Sequence, residues 1–245
     1  MINPRWFVLL LLSALAWPQI AGKGGLAGHS GAAGGGAAPV ISVIQSCVLN
    51  QTANSTTMTI TCGSPFTAGN TLIVGSSNTA NGGTWTGAAE SGADTLTCAT
   101  VNAGTDFYCY GVSIAGGGTT IVITNTNSTF CTCMAYELHN TATSSPLDNT
   151  PASLAQGSST TWTGATSSLA AKDILFLFGG SSAANNTYTA GSGYTLPATA
   201  TASGGNQSGF AEYQIFPSSG NQTPTVTLAS AITGRTFNLA VKVHP

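Results

Sequence analysis

The chain has 245 residues, and only 5% of them are Asp, Glu, Lys or Arg, against roughly 25% in an average soluble domain. Five cations and seven carboxylates give a formal net charge of −2. This excludes a basic nucleic-acid stripe, disfavours phosphate ligands and leaves little material for elaborate acid–base chemistry.

The N-terminus reads as a secretory signal. Arg5 supplies a positive n-region, and the apolar stretch Trp6 to Trp17 is only about a dozen residues long, short of the ~20 that span a bilayer. Ala14-Leu15-Ala16 fits the cleavage pattern, with Ala21 as a second cleavage position. Residues 1–21 are therefore expected to be a signal peptide, with secretion or cell-surface display and no membrane span after cleavage. Residues 22–39, rich in Gly and Ala, read as a flexible linker. Residues 40–245 are long enough for one β-domain with its own core.

Within that region apolar residues alternate with Thr, Ser and Asn. Met58, Ile60 and Cys62 alternate with Thr57, Thr59 and Thr61, which predicts a half-buried strand. Phe130, Met134, Tyr136 and Leu138 share a face, opposite Cys131, Cys133, Ala135, Glu137 and His139. Ile174 to Phe178 is apolar on both faces, as in a central strand covered on both sides. Ala211, Tyr213 and Ile215 oppose Glu212 and Gln214. Val226 and Leu228 alternate with Thr225 and Thr227, and Phe237, Leu239, Val241 and Val243 point away from Thr236, Asn238, Lys242 and His244. Gly, Asn and Ser clusters separate the runs. The pattern predicts an all-β fold, an antiparallel sandwich of about eleven or twelve strands. Ser153–Gln156 and Ser167–Ala171 have room for a helical turn. Thr explains part of the charge shortage, because it favours strands and keeps an outer face polar without charge.

All six cysteines lie beyond the signal, and an even number in a secreted chain implies disulfides. Cys47 and Cys62 flank the polar stretch Gln51 to Thr57 and lie opposite each other if that stretch is a hairpin loop. Cys98 and Cys109 are likewise centred on Asn102 to Thr105. Cys131 and Cys133 share a face if they lie in a strand; a bridge between them would be strained there, and a free pair or bonds to other strands remain open.

Several motifs in order resemble a known group. They are Phe66 to Val74 (FTAGNTLIV), Gly117 to Ile123 (GGTTIVI), Ala135 to Leu138 (AYEL), Pro146 to Asp148, Ala171 to Phe176 (AKDILF) and Thr189 to Leu196 (TAGSGYTL). They resemble secreted bacterial β-sandwich, jelly-roll-like domains, often appended to surface proteins and mostly without an assigned activity. The resemblance spans about Val40 to Val243 and implies a jelly-roll-like sandwich, with no catalytic residues to carry over. The cysteines depart from that group's pattern.

Four constellations are candidates for chemistry. Glu137 and Glu212, both mid-strand and outward, have the residue types of a glycosidase acid and nucleophile. A Ser–acid–His order exists in Ser181 or Ser182, Glu212 and His244, although the sequence after the serines is a poor helix start for a nucleophile elbow. Gly28-His29-Ser30-Gly31 mimics a lipase motif within the linker. Asp94, Asp106, Asp148 and Asp173 can supply oxygens to calcium, Asp148 foremost, although a turn-capping role also fits it. No other cofactor is expected.

Trp85, Trp162, Tyr188 and Tyr194 are candidates for stacking on sugars, the alternative being that they anchor loops in the core. Six Asn-x-Ser/Thr sequons occur, at Asn50, Asn54, Asn127, Asn185, Asn206 and Asn221; chance in so Ser/Thr-rich a chain predicts roughly four or five. The expected function is a non-enzymatic extracellular module that binds neutral polysaccharide or surface proteins. The alternatives are a glycoside hydrolase using Glu137 and Glu212, and a self-assembling surface-layer or filament subunit.

Overall fold

The computed structural model describes residues 39–77, 83–89, 94–102, 105–181, 183, 185–197, 199–202 and 207–245. The expected signal peptide, the linker up to residue 38 and the Gly28–Gly31 motif lie outside these residues, as do Ser182 and Asn206. The described strands are all antiparallel, in keeping with the all-β expectation, and no helix occurs among the described residues.

Eight strands form one sheet: β1 (Ser42–Val48), β2 (Ser55–Thr61), β3 (Thr71–Ser76), β4 (Trp85–Ala89), β5 (Asp94–Asn102), β6 (Asp106–Gly111), β7 (Thr120–Thr129) and β8 (Met134–His139). Their spatial order is β1-β8-β3-β6-β5-β4-β7-β2, so β1 and β2 are its two edges. The sheet curls until those edges approach. Cys47 of β1 and Cys62, just past β2, bridge them with Cα atoms 5.2 Å apart, and Gln45 exchanges hydrogen bonds with Ser64 across the same gap. The concave side holds one core, including Met58, Ile60, Leu72, Val74, Trp85, Phe107, Ile121 and Ile123.

The Cys47–Cys62 pairing is as anticipated, but its reason is not. β1 pairs with β8 and β2 with β7, so no hairpin joins them. Cys98 and Cys109 do face each other across the β5–β6 hairpin. Cys131 and Cys133 bond to each other, the pairing that the strand reading set aside as strained. Residues 130–133 leave the strand conformation, and β8 begins only at Met134. The Cα atoms of the pair are 5.3 Å apart, less than the ~6.6 Å that two strand residues span.

The remaining strands are β9 (Ser153–Thr163), β10 (Ser167–Leu169), β11 (Ile174–Ser181), β12 (Tyr188–Thr189), β13 (Thr199–Ala202), β14 (Gln207–Ile215), β15 (Gly220–Gln222) and β16 (Thr225–Val241). A six-stranded sheet runs β12-β16-β11-β14-β13, with β9 also paired to β16, while β10 and β15 pair separately. Among the described residues there are sixteen strands against the expected eleven or twelve, and four of these have two to four residues, too few to show an alternation. The two segments suited to a helical turn are strands instead: Ser153 to Gln156 pair with β16, and Ser167 to Leu169 with β15.

A second core is shared by the two large sheets. From the first come Ile73, Met134, Tyr136 and Leu138; from the second, Ile174, Phe176, Phe178, Ala211, Phe237, Leu239 and Val241. These are the faces that period-two alternation assigns. Ile174, Phe176 and Phe178 enter this layer, while Leu175 and Leu177 enter two smaller cores on the other side of β11. The central-strand reading of Ile174 to Phe178 therefore holds.

One ion pair crosses between the sheets. Asp106 of β6, fully buried, accepts from Arg235 Nε of β16 at 2.9 Å and from Ser77 Oγ at 2.8 Å. Ser153 of β9 donates to the same carboxylate and accepts from Arg235 Nη2 at 2.8 Å.

Two stability outcomes follow. Replacing both Cys47 and Cys62 by Ala opens a bridge of sequence separation 15 and is expected to lower the unfolding free energy by about 3 kcal/mol in denaturant titration. Arg235→Met leaves a buried carboxylate without its cation. Its expected cost is roughly 3 kcal/mol, the low end for such losses because Arg235 is partly exposed; an unchanged urea midpoint would contradict this role.

Candidate functional site

The two glutamates are not where a glycosidase needs them. Glu137 lies on the face of β8 that carries Ala135, on the concave side of the eight-stranded sheet, while Tyr136 and Leu138 face the shared core. Glu212 lies on the face of β14 opposite Ala211 and Tyr213, which also enter the shared core. Their side chains leave opposite sides of a two-sheet layer ~10 Å thick. That exceeds the spacings of about 5–5.5 Å for retention and about 6.5–9.5 Å for inversion. They share no hydrogen-bond partner, and neither is outward: Glu137 is 1% and Glu212 0% exposed. The sequence expectation of exposed carboxylates is corrected here, because both faces of these strands are covered.

Their environments differ. Glu137 accepts from Gln45 Nε2 at 2.7 Å, the Thr67 amide at 2.7 Å and Asn70 Nδ2 at 2.6 Å. Burial works against its charge, but these donors outweigh it and hold the carboxyl below its ordinary range. Asn70 Oδ1 in turn accepts from His139 Nδ1 at 2.9 Å, so carboxylate, amide and imidazole form one chain. The carboxylate organises the loop before β3. Glu212 has one donor, the Gly191 amide at 2.8 Å, and its Oε1 has no hydrogen-bond partner. Burial pushes its carboxyl up to about 7, against the lowering effect of that amide.

The serine order is not assembled either. Ser181 is fully buried at the end of β11, where its hydroxyl meets Ser208 Oγ and Tyr188 Oη, each at 2.9 Å. His244 is exposed and is paired with the Pro245 carbonyl.

Of the four aspartates, only Asp148 and Asp173 come together. The Ala170 amide donates to Oδ2 of both, at 3.2 and 3.3 Å. Burial, reinforced by Asp148 and opposed by the Val243 and Ala170 amides, pushes Asp173 up to about 6. Asp94 instead caps the Ala115 amide, and Asp106 holds Arg235. Among the described residues no group of three or more His, Cys, Asp or Glu is placed to hold a metal ion.

Three of the four aromatics proposed as sugar platforms lie in cores, and Tyr194 is half-buried at the margin of one. Trp85 stacks on Phe107, centroids 3.8 Å apart, and Trp162 is fully buried with Tyr188 and Phe210 around it. Tyr188 is 6% exposed, and Tyr194 packs edge-on against Phe216. The apolar faces of Trp85, Trp162 and Tyr188 are therefore not available for stacking. The reason is that the Thr- and Gly-rich segments around them are strand and cover rather than projecting loops.

A neutral cleft of about 400 Å³ is formed by the chain from Leu49 to Thr59. Asn50, Thr52, Asn54, Thr57 and Thr59 present amides and hydroxyls around it, and no charged side chain lines it. Its floor is pinned by Gln51, which donates to the carbonyls of Ala53 and Thr129 and accepts from the Cys131 amide. Sequence reasoning saw this segment only as a polar stretch between cysteines. The disulfide at Cys47–Cys62 and the Gln51 contacts are what shape it.

No family model, no curated protein and no solved structure matches the chain.

The two raised carboxyls set a pH dependence. Each holds a proton in the folded chain at pH values where the unfolded chain has lost it, so their contribution is full below the ordinary carboxylate range and is lost as pH rises through about 6 and about 7. For Glu212 the loss is on the order of 3 kcal/mol. Urea midpoints should therefore fall between about pH 4 and about pH 8 and level off above, and Glu212→Gln should flatten that fall; an unaltered slope would refute the assignment.

Proposed function

We propose that the chain is a secreted, non-enzymatic extracellular or cell-surface module, a jelly-roll-like β-sandwich that contacts uncharged polysaccharide through the cleft at Leu49 to Thr59. The observation that carries this reading is the disposition of polar groups. Among the described residues the carboxylates are hydrogen-bonded or buried inside, whereas the open cleft offers neutral donors and acceptors. Such a surface suits hydroxyl-rich polymers, which need many weak neutral hydrogen bonds and no counter-charge.

The antiparallel sheets with a shared apolar layer support the sandwich reading. Three disulfides, and the absence of any membrane-length apolar helix among the described residues, are compatible with secretion. The glycoside hydrolase alternative loses its basis once the two glutamates face opposite ways.

The test is a panel of neutral polysaccharides and oligosaccharides, titrated calorimetrically into protein produced without attached glycans. Binding is expected with Kd below about 1 mM, and Thr57→Glu, which puts a charge at the rim, should weaken it about tenfold. No heat of binding for any member of the panel at about millimolar concentration would refute the reading.

A further inference from the structure

The sequons divide the asparagines of this chain into two kinds. Asn50, Asn54, Asn127, Asn185 and Asn221, the five described sequon asparagines, are all exposed. The other seven described asparagines are not: Asn70, Asn125 and Asn238 are buried, and Asn102, Asn140, Asn149 and Asn186 half-buried. Each of those seven uses its side-chain amide in an internal hydrogen bond, for example Asn70 to Glu137, Asn149 to Ser167, Asn186 to the Ser230 carbonyl and Asn238 to the Ala165 carbonyl. A random draw of five from these twelve would rarely collect only the exposed ones. The number of sequons is near chance, but their placement is not.

The hydroxyl residue two positions on sharpens the choice. Thr52, Thr56, Thr187 and Thr223 are exposed beside Asn50, Asn54, Asn185 and Asn221. Thr129, the partner of Asn127, is fully buried and donates to the Phe130 carbonyl, so a transferase meeting the folded chain cannot read it. Three of the four fully accessible sequons gather at one end of the sheets. Asn50 and Asn54 follow Val48, which pairs with Met134, and Asn185 follows the end of β11, where Gly180 pairs with Gly209, which lies against Thr132. Asn221 lies on β15, away from that group.

We propose that Asn50, Asn54, Asn185 and Asn221 are acceptors of N-linked glycans. In the transfer, the Asn side-chain nitrogen bonds to C1 of the reducing sugar of a polyprenyl-diphosphate-linked oligosaccharide. The C1–oxygen bond to the diphosphate breaks, the lipid diphosphate leaves, and the nitrogen gives up one proton. A separate membrane transferase supplies the catalysis. The modification answers the shortage of charge: a neutral chain of net charge −2 gains hydration from bulky, solubilising sugars where other proteins use Lys and Glu.

The inference needs the extracellular location proposed above, but not the polysaccharide binding: Asn50 and Asn54 line the cleft, so glycans on them close it to a second polymer, and only the unglycosylated chain binds there. The experiment takes the full chain from the organism that makes it, separates secreted from cytoplasmic fractions, and maps glycopeptides before and after enzymatic deglycosylation in heavy-oxygen water. Label and glycan mass are expected at three or more of the four asparagines, with none at the seven internal ones. Secreted protein with fewer than three occupied sites would overturn the proposal and leave the location intact. Protein found unmodified and only in the cytoplasm would overturn both.

Discussion

The apolar layer shared by the two large sheets is the contact on which the rest of the structure depends. Tyr136 lies within aromatic contact of Phe176, Phe178 and Tyr213, and Phe178 stacks on Phe237 with centroids 5.0 Å apart. The fit is close enough to dictate a glycine. A Cβ on Gly75 of β3 would stand 2.6 Å from the Phe178 ring. Each sheet buries there the face that its alternation makes apolar, at roughly 25 cal/mol per Å² removed from water. Without this layer, neither the curled sheet nor the six-stranded sheet has a cover for that face.

Once the layer is in place, the scarce charges acquire definite tasks. Arg235, which joins β16 to Asp106 and Ser153, ties the second sheet to the first by an ion pair, beside the hydrogen bond from Tyr136 Oη to the Ala211 carbonyl. Glu137 gathers Gln45, Thr67 and Asn70, and so connects an edge strand to the loop before β3. Asp173 anchors the C-terminal strand through the Val243 amide at 3.0 Å. Glu212 is the exception. It is enclosed with an oxygen that no donor reaches, and its raised pKa is the consequence of burial without a counter-charge. A chain that uses its carboxylates in this way has few left for chemistry on a ligand, and its surface is left to hydroxyls and amides.

Much of the local structure was legible in the residues. The alternation in Phe237 to Val243, in Ala211 to Ile215 and around Met58 and Ile60 assigned the correct faces, and Cys98–Cys109 was readable as a cross-strand bridge. The candidate site was much less so. Glu137 and Glu212 look alike in sequence, each polar between apolar neighbours, yet one is wired to three donors and the other nearly isolated. Trp85 and Trp162 sit in Thr- and Gly-rich segments that resemble loops until the strands covering them are known. The cleft at Leu49 to Thr59 depends on Gln51 reaching Thr129 and Cys131, contacts between positions about 80 apart in the chain.

The sequence by itself determined the strand class, the inward face of each long strand and the shortage of charge. Side chains alternate with period two whatever lies opposite them, so this information is local. Only the tertiary structure decided which strands are neighbours: that β1 and β2 close a curled sheet from opposite edges, that residues 130–133 leave the strand, and that both faces of β8 and β14 are covered. Pairing and burial depend on contacts between distant segments, and a period-two pattern cannot tell a face turned to water from one turned to another layer.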